Sequence, residues 1–397
     1  MSMLKHFVLA AAILHFVTAN SQSYQKIHSK AVLADTHNDV LSEAVLEGKD
    51  ISHRLAEGHS DLDRFREGGV DLQFFSVYTG PEPRNKEGAY KDANQEIDSL
   101  ESIVARNNDR MILAKTFDDV KKGLREKKLV SLIGVEGGHM IENDIHKLDA
   151  LYERGMRYMT LTWNNSNEWA TSAMDESGSS AVKLEHKGLT EFGRQVVKRM
   201  NELGVIVDLS HTGEQTFYDA VAVSSKPVLL SHSSVWNICP VFRNVKDDQL
   251  RALAKNGGVI CINFYSGFVS RQYDERAERL NGSEKETIQD SLYNITRDSA
   301  DMRRKWREYF RAEMNKVRPT IADLVDHIDY VVKLIGDDHV GIGADYDGVS
   351  SLPVGMGDVT CYPKITEELV KRGYSKRSIR KILGGNVLRV MEKNFTD

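Results

Sequence analysis

The chemistry-bearing residues of this chain fall into a repeated pattern, and its first copy is Asp35-Thr36-His37-Asn38-Asp39. The apolar run Ala31-Val32-Leu33-Ala34 precedes it, so these polar residues stand at the carboxyl end of a short buried strand. In extended chain, positions two apart share a face, which aims His37 and Asp39 the same way. An imidazole beside a carboxylate suits a borderline divalent metal such as zinc. One His-x-Asp carries little in a chain with 13 His and 58 Asp plus Glu. Its recurrence carries more. Leu132-Ile133-Gly134-Val135-Glu136 ends in a carboxylate, Val207-Asp208-Leu209-Ser210-His211 and Leu229-Leu230-Ser231-His232 end in imidazoles, and Gly341-Ile342-Gly343-Ala344-Asp345-Tyr346-Asp347 ends in two carboxylates.

The elements that must position these groups alternate. Strand-like apolar runs cover Ala31 to Thr36, Val70 to Tyr78, Val130 to Glu136, Tyr158 to Trp163, Val205 to Ser210, Val228 to Ser231, Val259 to Tyr265 and Val340 to Ala344, eight in all. Helical patterns lie between them, at Tyr90 to Ala105, Ile145 to Arg154, Thr190 to Leu203, Gly213 to Val221, Lys246 to Lys255 and Thr320 to Leu334, several opened by capping residues and closed by Gly. Leu203-Gly204 runs directly into Val205, and Gly257-Gly258 into Val259, the short helix-to-strand turn of a parallel sheet. Eight near-continuous apolar strands need cover on both faces, which predicts an α/β fold of the (β/α)8 TIM-barrel type. An open doubly wound sheet is the alternative, and it lacks the Gly-x-Gly-x-x-Gly expected after its first strand. Arg276 to Arg318 breaks the alternation. It is long, charged and helix-forming, and is read as a helical insertion before the last strand, either a solvated flap or a subunit contact.

Composition narrows the function. With 397 residues, 41% hydrophobic and 28% charged, the chain can fill one large barrel. A net charge of −5 and no basic stripe argue against nucleic acid as a partner, so a small-molecule substrate is expected. Residues 1–21 read as a signal peptide: a cationic start, an apolar stretch from Phe7 to Val17, then small residues for cleavage. That stretch is shorter than the roughly 20 residues of a bilayer crossing. Neither a lipid-modified cysteine nor a hydrophobic tail is present, so the expectation is an exported, periplasmic or secreted protein with no stable membrane anchor, its 22–397 forming a single barrel domain. Cys239, Cys261 and Cys361 are too few for a disulfide scaffold and form no Cys-x-x-Cys pair, which disfavours redox chemistry and thiolate-held zinc.

In a parallel barrel the carboxyl ends of all strands meet at one mouth, where active sites of this fold lie. His37, Asp39, Glu136, His211, His232 and Asp345 would then share one polar cup. Such crowding without a cation carries repulsion and desolvation costs that divalent metal removes. With carboxylates, imidazoles and no thiolate, the expected filling is two zinc ions per chain about 3.5–4 Å apart around a shared carboxylate. Glu136 is the expected bridge, because in chain order its strand lies between that of His37/Asp39 and those of His211 and His232.

Asp35-Thr36-His37-Asn38-Asp39, Gly134-Val135-Glu136-Gly137, Asp208-Leu209-Ser210-His211, Ser231-His232-Ser233-Ser234, Arg243-Asn244-Val245, Gly343-Ala344-Asp345-Tyr346-Asp347-Gly348 and Gly384-Gly385-Asn386-Val387-Leu388-Arg389-Val390 together resemble the membrane (renal) dipeptidase family of zinc peptidases, in the amidohydrolase-type barrel superfamily. The likeness runs from about Asp35 to Val390. It implies that His37 and Asp39 bind one zinc and His211 and His232 the other, with Glu136 between them, Asp345 the catalytic acid/base and Arg243 the contact to the substrate carboxylate. Hydrolysis by attack of a metal-bridging hydroxide agrees with those roles: Asp345 can pass the water's proton to the leaving amine, and the fork of Arg243 suits a terminal carboxylate. Tyr265, ending the seventh strand run, joins Arg243 and Trp163 as a candidate substrate-binding residue. Members of the family are often dimers, so a homodimer is a further expectation.

One departure stands out. Where this family carries a His after Thr160-Leu161-Thr162, this chain has Trp163. Indole donates one hydrogen bond and cannot change charge. Loss of an oxyanion donor costs on the order of 100- to 1000-fold in rate in a well-studied protease. The substitution therefore points to a shifted substrate preference or weaker peptidase activity, with Asn164 or Asn165 as replacement donors. Two other readings share the metal residues: a barrel amidohydrolase acting on another small amide or ester, which would not need Arg243, and a binding protein that has lost turnover. The remaining histidines lack metal spacing and read as structural, His139 included; Asp347 and Asp208 read as either orienting ligands or holding turns.

Overall fold

The computed structural model describes residues 24–395, so the expected signal peptide lies outside the described residues. Among the described residues there are nine strands: β1 (Ala34–Asp35), β2 (Leu72–Tyr78), β3 (Met111–Leu113), β4 (Leu129–Glu136), β5 (Met156–Thr160), β6 (Ile206–Asp208), β7 (Leu229–Ser233), β8 (Val259–Ile262) and β9 (Val340–Ile342). Every pairing is parallel. β1 pairs with both β2 and β9, and β2 also pairs with β4, so eight strands close into a barrel in the order β1-β2-β4-β5-β6-β7-β8-β9. This is the (β/α)8 barrel that the alternation predicts. β3 is the addition. It pairs with β4 at Leu129–Ser131, before β5 takes over the same edge from Ile133, and its three residues are too short for periodicity to reveal.

The barrel interior explains the placement of the site. Leu72, Phe74, Val130, Leu132, Tyr158, Ile206, Leu229 and Val259 form one buried cluster, while Phe75, Ile133, Val135, Met159, Val207 and Leu230, their neighbours in sequence, belong to the cluster under the helices. This is the two-residue alternation of a strand, one face inward and one outward. Continued toward the carboxyl ends, the inward stripe turns polar: Leu132-x-Gly134-x-Glu136 on β4, Tyr158-x-Thr160 on β5, Ile206-x-Asp208 on β6, Leu229-x-Ser231 on β7. Val387, Val390 and Met391 of the last helix, Asn386–Asn394, pack with the apolar half of the barrel interior.

Helices lie where the pattern predicts them, at Ala89–Arg106, Ile145–Arg154, Glu191–Leu203, Glu214–Val223, Asp247–Asn256 and Ile321–Ile335. The turn at Gly204 has φ 83°, a left-handed C-cap that lets the chain enter β6 directly. Five strands stop earlier than expected, β1, β6 and β9 by one or two residues and two by three: β5 ends at Thr160, not Trp163, and β8 at Ile262, not Tyr265. In the second case Asn263 Oδ1 accepts from the Tyr265 N–H at 2.6 Å, a local turn bond that replaces the ladder. The insertion starts at Arg271 and comprises the helices Arg271–Asn281, Lys285–Thr296 and Ser299–Asn315. Tyr273, Leu280 and Met314 form a small core there, apart from the barrel. Among the described residues no helix is long and apolar enough to cross a membrane.

Candidate active site

The structure brings His37, Asp39, Glu136, His211, His232 and Asp345 together at the carboxyl ends of the strands, all of them buried. Glu136, the last residue of β4, lies at the centre. Its Oε2 is 3.4 Å from His37 Nε2, while its Oε1 is 3.0 Å from His211 Nε2 and 3.3 Å from His232 Nε2. On the far side of His37, Nε2 lies 3.3 Å from Asp39 Oδ2 and 3.9 Å from Asp345 Oδ1. His211 and Asp345 hold left-handed backbone, φ 65° and 63°, a conformation uncommon outside Gly that persists where the surroundings enforce it.

Each imidazole is oriented through its other nitrogen. His37 Nδ1 is 2.8 Å from Tyr158 Oη, His211 Nδ1 is 2.9 Å from Asn164 Oδ1, and His232 Nδ1 is 2.7 Å from Ser231 Oγ. Ser231 donates in turn to Asp208 Oδ2 at 2.7 Å, which also accepts from Thr160 at 2.6 Å. Asp208 thus backs a ligand-type histidine through Ser231, one of the two roles the sequence left open. Such partners fix which ring nitrogen carries the proton and leave Nε2 of all three rings aimed inward. Gly134 makes room for this: a Cβ there would lie 2.0 Å from the Tyr158 ring.

The buried imidazoles and carboxylates shift one another strongly. Burial lowers His211 to about 3 and His232 well below the ordinary imidazole value, with Arg243 and His37 adding to the effect. Burial alone would lower His37 too, but Tyr158, Glu136 and Asp39 hold it well above that value. Burial, with Asp39 and Glu136 adding repulsion, pushes Asp345 well above the carboxylate range. His37 Nε2 and Asp39 Oδ1 are buried without a hydrogen-bond partner, and His211 Nε2 faces His232 Nε2 at 2.9 Å. Buried nitrogens and oxygens converging without hydrogens to share fit a divalent metal, as does the imidazole and carboxylate donor set. His37, Glu136 and His232 form one group with metal-holding geometry, and His37, Asp39 and Asp345 another.

A cavity of about 420 Å³ opens onto this cluster, and Trp163, Arg243 and Tyr265 all line it with Asp39, Glu136, His211 and Asp345. Arg243 is 4% exposed, over the Phe268 ring at 5.4 Å, with no carboxylate in ion-pair range among the described residues. It donates to the His232 carbonyl at 3.1 Å and to Ser233 Oγ at 3.4 Å, while its Nε has no partner among the described residues. Burial lowers it to about 10, so it stays cationic at neutral pH. A surface ion pair, the ordinary role for such a residue, is therefore absent. Trp163 lies between Tyr78 and His211, with ring centroids 5.2 and 6.1 Å away. Of the two proposed replacement donors, Asn164 lines the cavity, and Asn165 instead donates to the Ser166 carbonyl at 3.4 Å. His139 stays outside the cavity lining, bonded to the Thr79 carbonyl at 3.0 Å, and Asp347 ties the loop at His59, accepting from its N–H at 2.6 Å. Sequence reading missed Tyr158 and Asn263, and it missed that Asn164 stands behind His211 and Ser231 behind His232. Asn263 Nδ2 donates to Asp345 Oδ2 at 2.8 Å.

A closed parallel barrel with buried imidazoles and carboxylates gathered at the carboxyl ends of its strands defines a metal-dependent hydrolase of the barrel type. The family model described as Membrane dipeptidase (Peptidase family M19) matches residues 21–396. The chain belongs to the membrane dipeptidase family, hydrolases that are metallopeptidases acting on small peptides. Solved structures of similar fold include the probable dipeptidase PvdM from Pseudomonas aeruginosa, at TM-score 0.79 and 23% identity, covering 95% of this chain and 98% of that one. Another is a metallo peptidase from Rhodobacter sphaeroides liganded with a phosphinate mimic of the dipeptide L-Ala-D-Ala, at TM-score 0.71 and 22% identity, covering 92% and 99%. A third, the metallo peptidase dipeptidase AC, matches at TM-score 0.73 and 23% identity, covering 92% and 99%.

Proposed function

We propose that this protein is a two-zinc dipeptidase in which His37 and Asp39 hold one ion, His211 and His232 the other, and Glu136 both. The observation that carries this reading is the division of the Glu136 carboxylate: one oxygen faces His37, and the other faces His211 and His232. Zinc bound there supplies Lewis-acid polarisation of a scissile carbonyl and lowers the pKa of water at the site.

The chain's own residues do the rest. Asp345, 3.9 Å from His37 and held by Asn263, is placed to take a proton from water and return it to the leaving amine. Burial, which raises its pKa, suits it to carry that proton between steps. Arg243, buried, cationic and with an unpartnered Nε, offers two donors in a plane to the free carboxylate of a dipeptide. A 420 Å³ cavity suits a substrate of that size. Trp163 and Tyr78 form an aromatic wall beside His211, and the indole N–H is the one donor Trp163 can offer. This supports retained amide hydrolysis with a shifted side-chain preference. The phosphinate mimic of L-Ala-D-Ala bound by the Rhodobacter sphaeroides peptidase supports dipeptides of mixed stereochemistry as first substrates to try.

The test is metal analysis of the purified protein together with a screen of dipeptides of both stereochemistries, with and without chelator. Two zinc ions per chain and chelator-sensitive dipeptide cleavage are expected. Cleavage that survives full removal of metal, or a metal-loaded protein that cleaves cyclic amides or esters and no dipeptide, would overturn the reading.

A further inference from the structure

Four carboxylates line the catalytic cavity, those of Asp39, Glu43, Glu136 and Asp345, and the chemistry above uses every one but Glu43. Glu43 stands in the helical turn Leu41–Val45 that follows β1; Leu41 and Ala44 of that turn are buried, while Ser42 and Glu43 line the cavity. The Glu43 carboxylate makes no ion pair or hydrogen bond among the described residues. Burial and the charges of Asp39, Glu47 and Asp347 raise it above the ordinary carboxylate value, as expected of an acid that faces like charge with no cation held against it. Arg84, the cation that acts on it, is already taken: it pairs with the buried Glu96 and donates to the Tyr78 carbonyl at 3.0 Å.

Aromatic faces stand beside this charge. Tyr78, the last residue of β2, and Trp163 line the same cavity with ring centroids 5.2 Å apart. Glu43 is near enough to Tyr78 to add to the burial and to the Glu136 and Asp39 charges that raise its phenol. An unpaired carboxylate beside two ring faces suits a cation on an apolar stem: the rings cover the methylenes and attract the charge, and the carboxylate pairs with it.

Barrel order decides which half of the substrate meets this corner. In the closed ring β1-β2-β4-β5-β6-β7-β8-β9, β2 lies four strands from β7 in either direction, and β1 is next to β2. Arg243 follows β7 and is bonded to the His232 carbonyl of that strand, so it stands across the mouth from Tyr78 and Glu43. A dipeptide with its carboxylate on Arg243 and its scissile carbonyl over the proposed metals extends its amino-terminal residue toward them. We infer that Glu43, Tyr78 and Trp163 form a specificity subsite for a cationic side chain, such as that of lysine, on the amino-terminal residue of the substrate. The inference rests on the dipeptidase reading for that orientation.

The experiment compares Lys-Ala with norleucyl-Ala, which keeps the side-chain stem and the terminal amine and lacks only the side-chain ammonium. Both are tested on the full-length metal-loaded protein and on its Glu43→Gln and Glu43→Lys variants. In the unsubstituted enzyme kcat/KM should favour Lys-Ala about fivefold or more, carried by KM and reduced by added salt. Glu43→Gln should bring the two dipeptides within about twofold of one another, and Glu43→Lys should turn the preference against Lys-Ala. Glu47→Gln, which removes a nearby carboxylate from outside the cavity lining, should retain the preference. Equal kinetics for the two dipeptides, or a preference that survives Glu43→Gln, would overturn the inference. Calorimetric binding of both dipeptides to the unsubstituted and Glu43→Gln proteins needs no turnover, which separates this inference from the dipeptidase reading. Tighter binding of Lys-Ala that is lost on substitution supports the subsite even where neither dipeptide is cleaved, and equal binding of the two counts against it.

Discussion

Tyr158→Phe isolates the device that aims His37, the first of the proposed ligand histidines. The tyrosine is fully buried, its ring packs on Phe74 at a centroid distance of 4.9 Å, and its Oη lies 2.8 Å from His37 Nδ1. Phenylalanine keeps the ring and removes one atom, so packing is preserved and the hydrogen bond is lost. An imidazole that ligates through Nε2 carries its proton on Nδ1, and Oη is the acceptor that holds it there. Removing partners of this kind lowers metal affinity about 10- to 100-fold, or about 1.4–2.8 kcal/mol. The assay is a competitive chelator titration of zinc, with circular dichroism melting of the metal-free protein as the control for folding. On the proposed two-ion reading, an ion on the His211 and His232 side would serve as an internal reference, since those rings are held by Asn164 and Ser231. Gly134→Ala reaches the same ring from the other side, because its Cβ would lie 2.0 Å from Tyr158. An unchanged zinc isotherm in a well-folded Tyr158→Phe protein would refute the claim that this hydroxyl sets the tautomer of His37.

Arg243→Lys keeps a charge and loses the planar fork, so KM for dipeptides should rise tenfold or more with a smaller change in kcat; steady-state kinetics on one dipeptide decide it, and an unchanged KM would remove Arg243 from substrate binding. Trp163→His should change dipeptide turnover by less than about tenfold if the indole and its neighbours already serve the substrate oxygen, whereas a gain of about 100-fold or more would show a missing oxyanion donor. His327 provides a pH test of stability away from the cup: its Nδ1 accepts from the Val235 N–H at 3.0 Å, its Nε2 donates to the Val269 carbonyl at 3.0 Å, and burial lowers it to about 4. Between its unfolded value near 6.5 and that folded value, the unfolded chain binds a proton the folded one does not, so stability is intact above pH 6.5 and falls as pH drops toward 4. The expected loss from pH 7 to 5 is about 2 kcal/mol in urea unfolding; a His327→Gln protein with the same pH slope would contradict it.

The ligand-type residues were legible because of where a parallel barrel puts the ends of its strands. His37, Glu136, His211, His232 and Asp345 each follow an apolar run, and a polar group in that position has one mouth to point into. Asp39 is instructive for a different reason. β1 stops at Asp35, so the strand alternation that paired His37 with Asp39 does not hold beyond it, yet the two side chains still meet at 3.3 Å. Asp35, next to the inward-facing Ala34, lies on the helix side of β1, where it accepts from the Tyr362 hydroxyl and from the His37 and Ala344 N–H groups, the last two at 3.2 and 3.0 Å, which ties the segment after β1 to the residues after β9. Their meeting therefore depends on a contact with the far end of the chain, at Ala344, that no local pattern records.

The supporting shell was hidden for a related reason. Tyr158 and His37 are 121 residues apart and reach one another across the barrel, and Asn164 and His211 meet beyond the ends of the neighbouring strands β5 and β6, so both pairings depend on strand stagger, which a single sequence does not show. What local sequence does carry is the inward stripe. Read at a period of two, β4, β5, β6 and β7 each change from apolar to polar on the face that looks into the barrel, and Tyr158 falls on that face one step below Thr160. The apolar lower half packs the interior, and the polar upper half holds the histidines in place. The same period that builds the core therefore also marks which hydroxyls and carboxylates stand behind the ligands. On that reading Gly134, which interrupts the stripe on β4, is the gap through which the Tyr158 ring passes to reach His37.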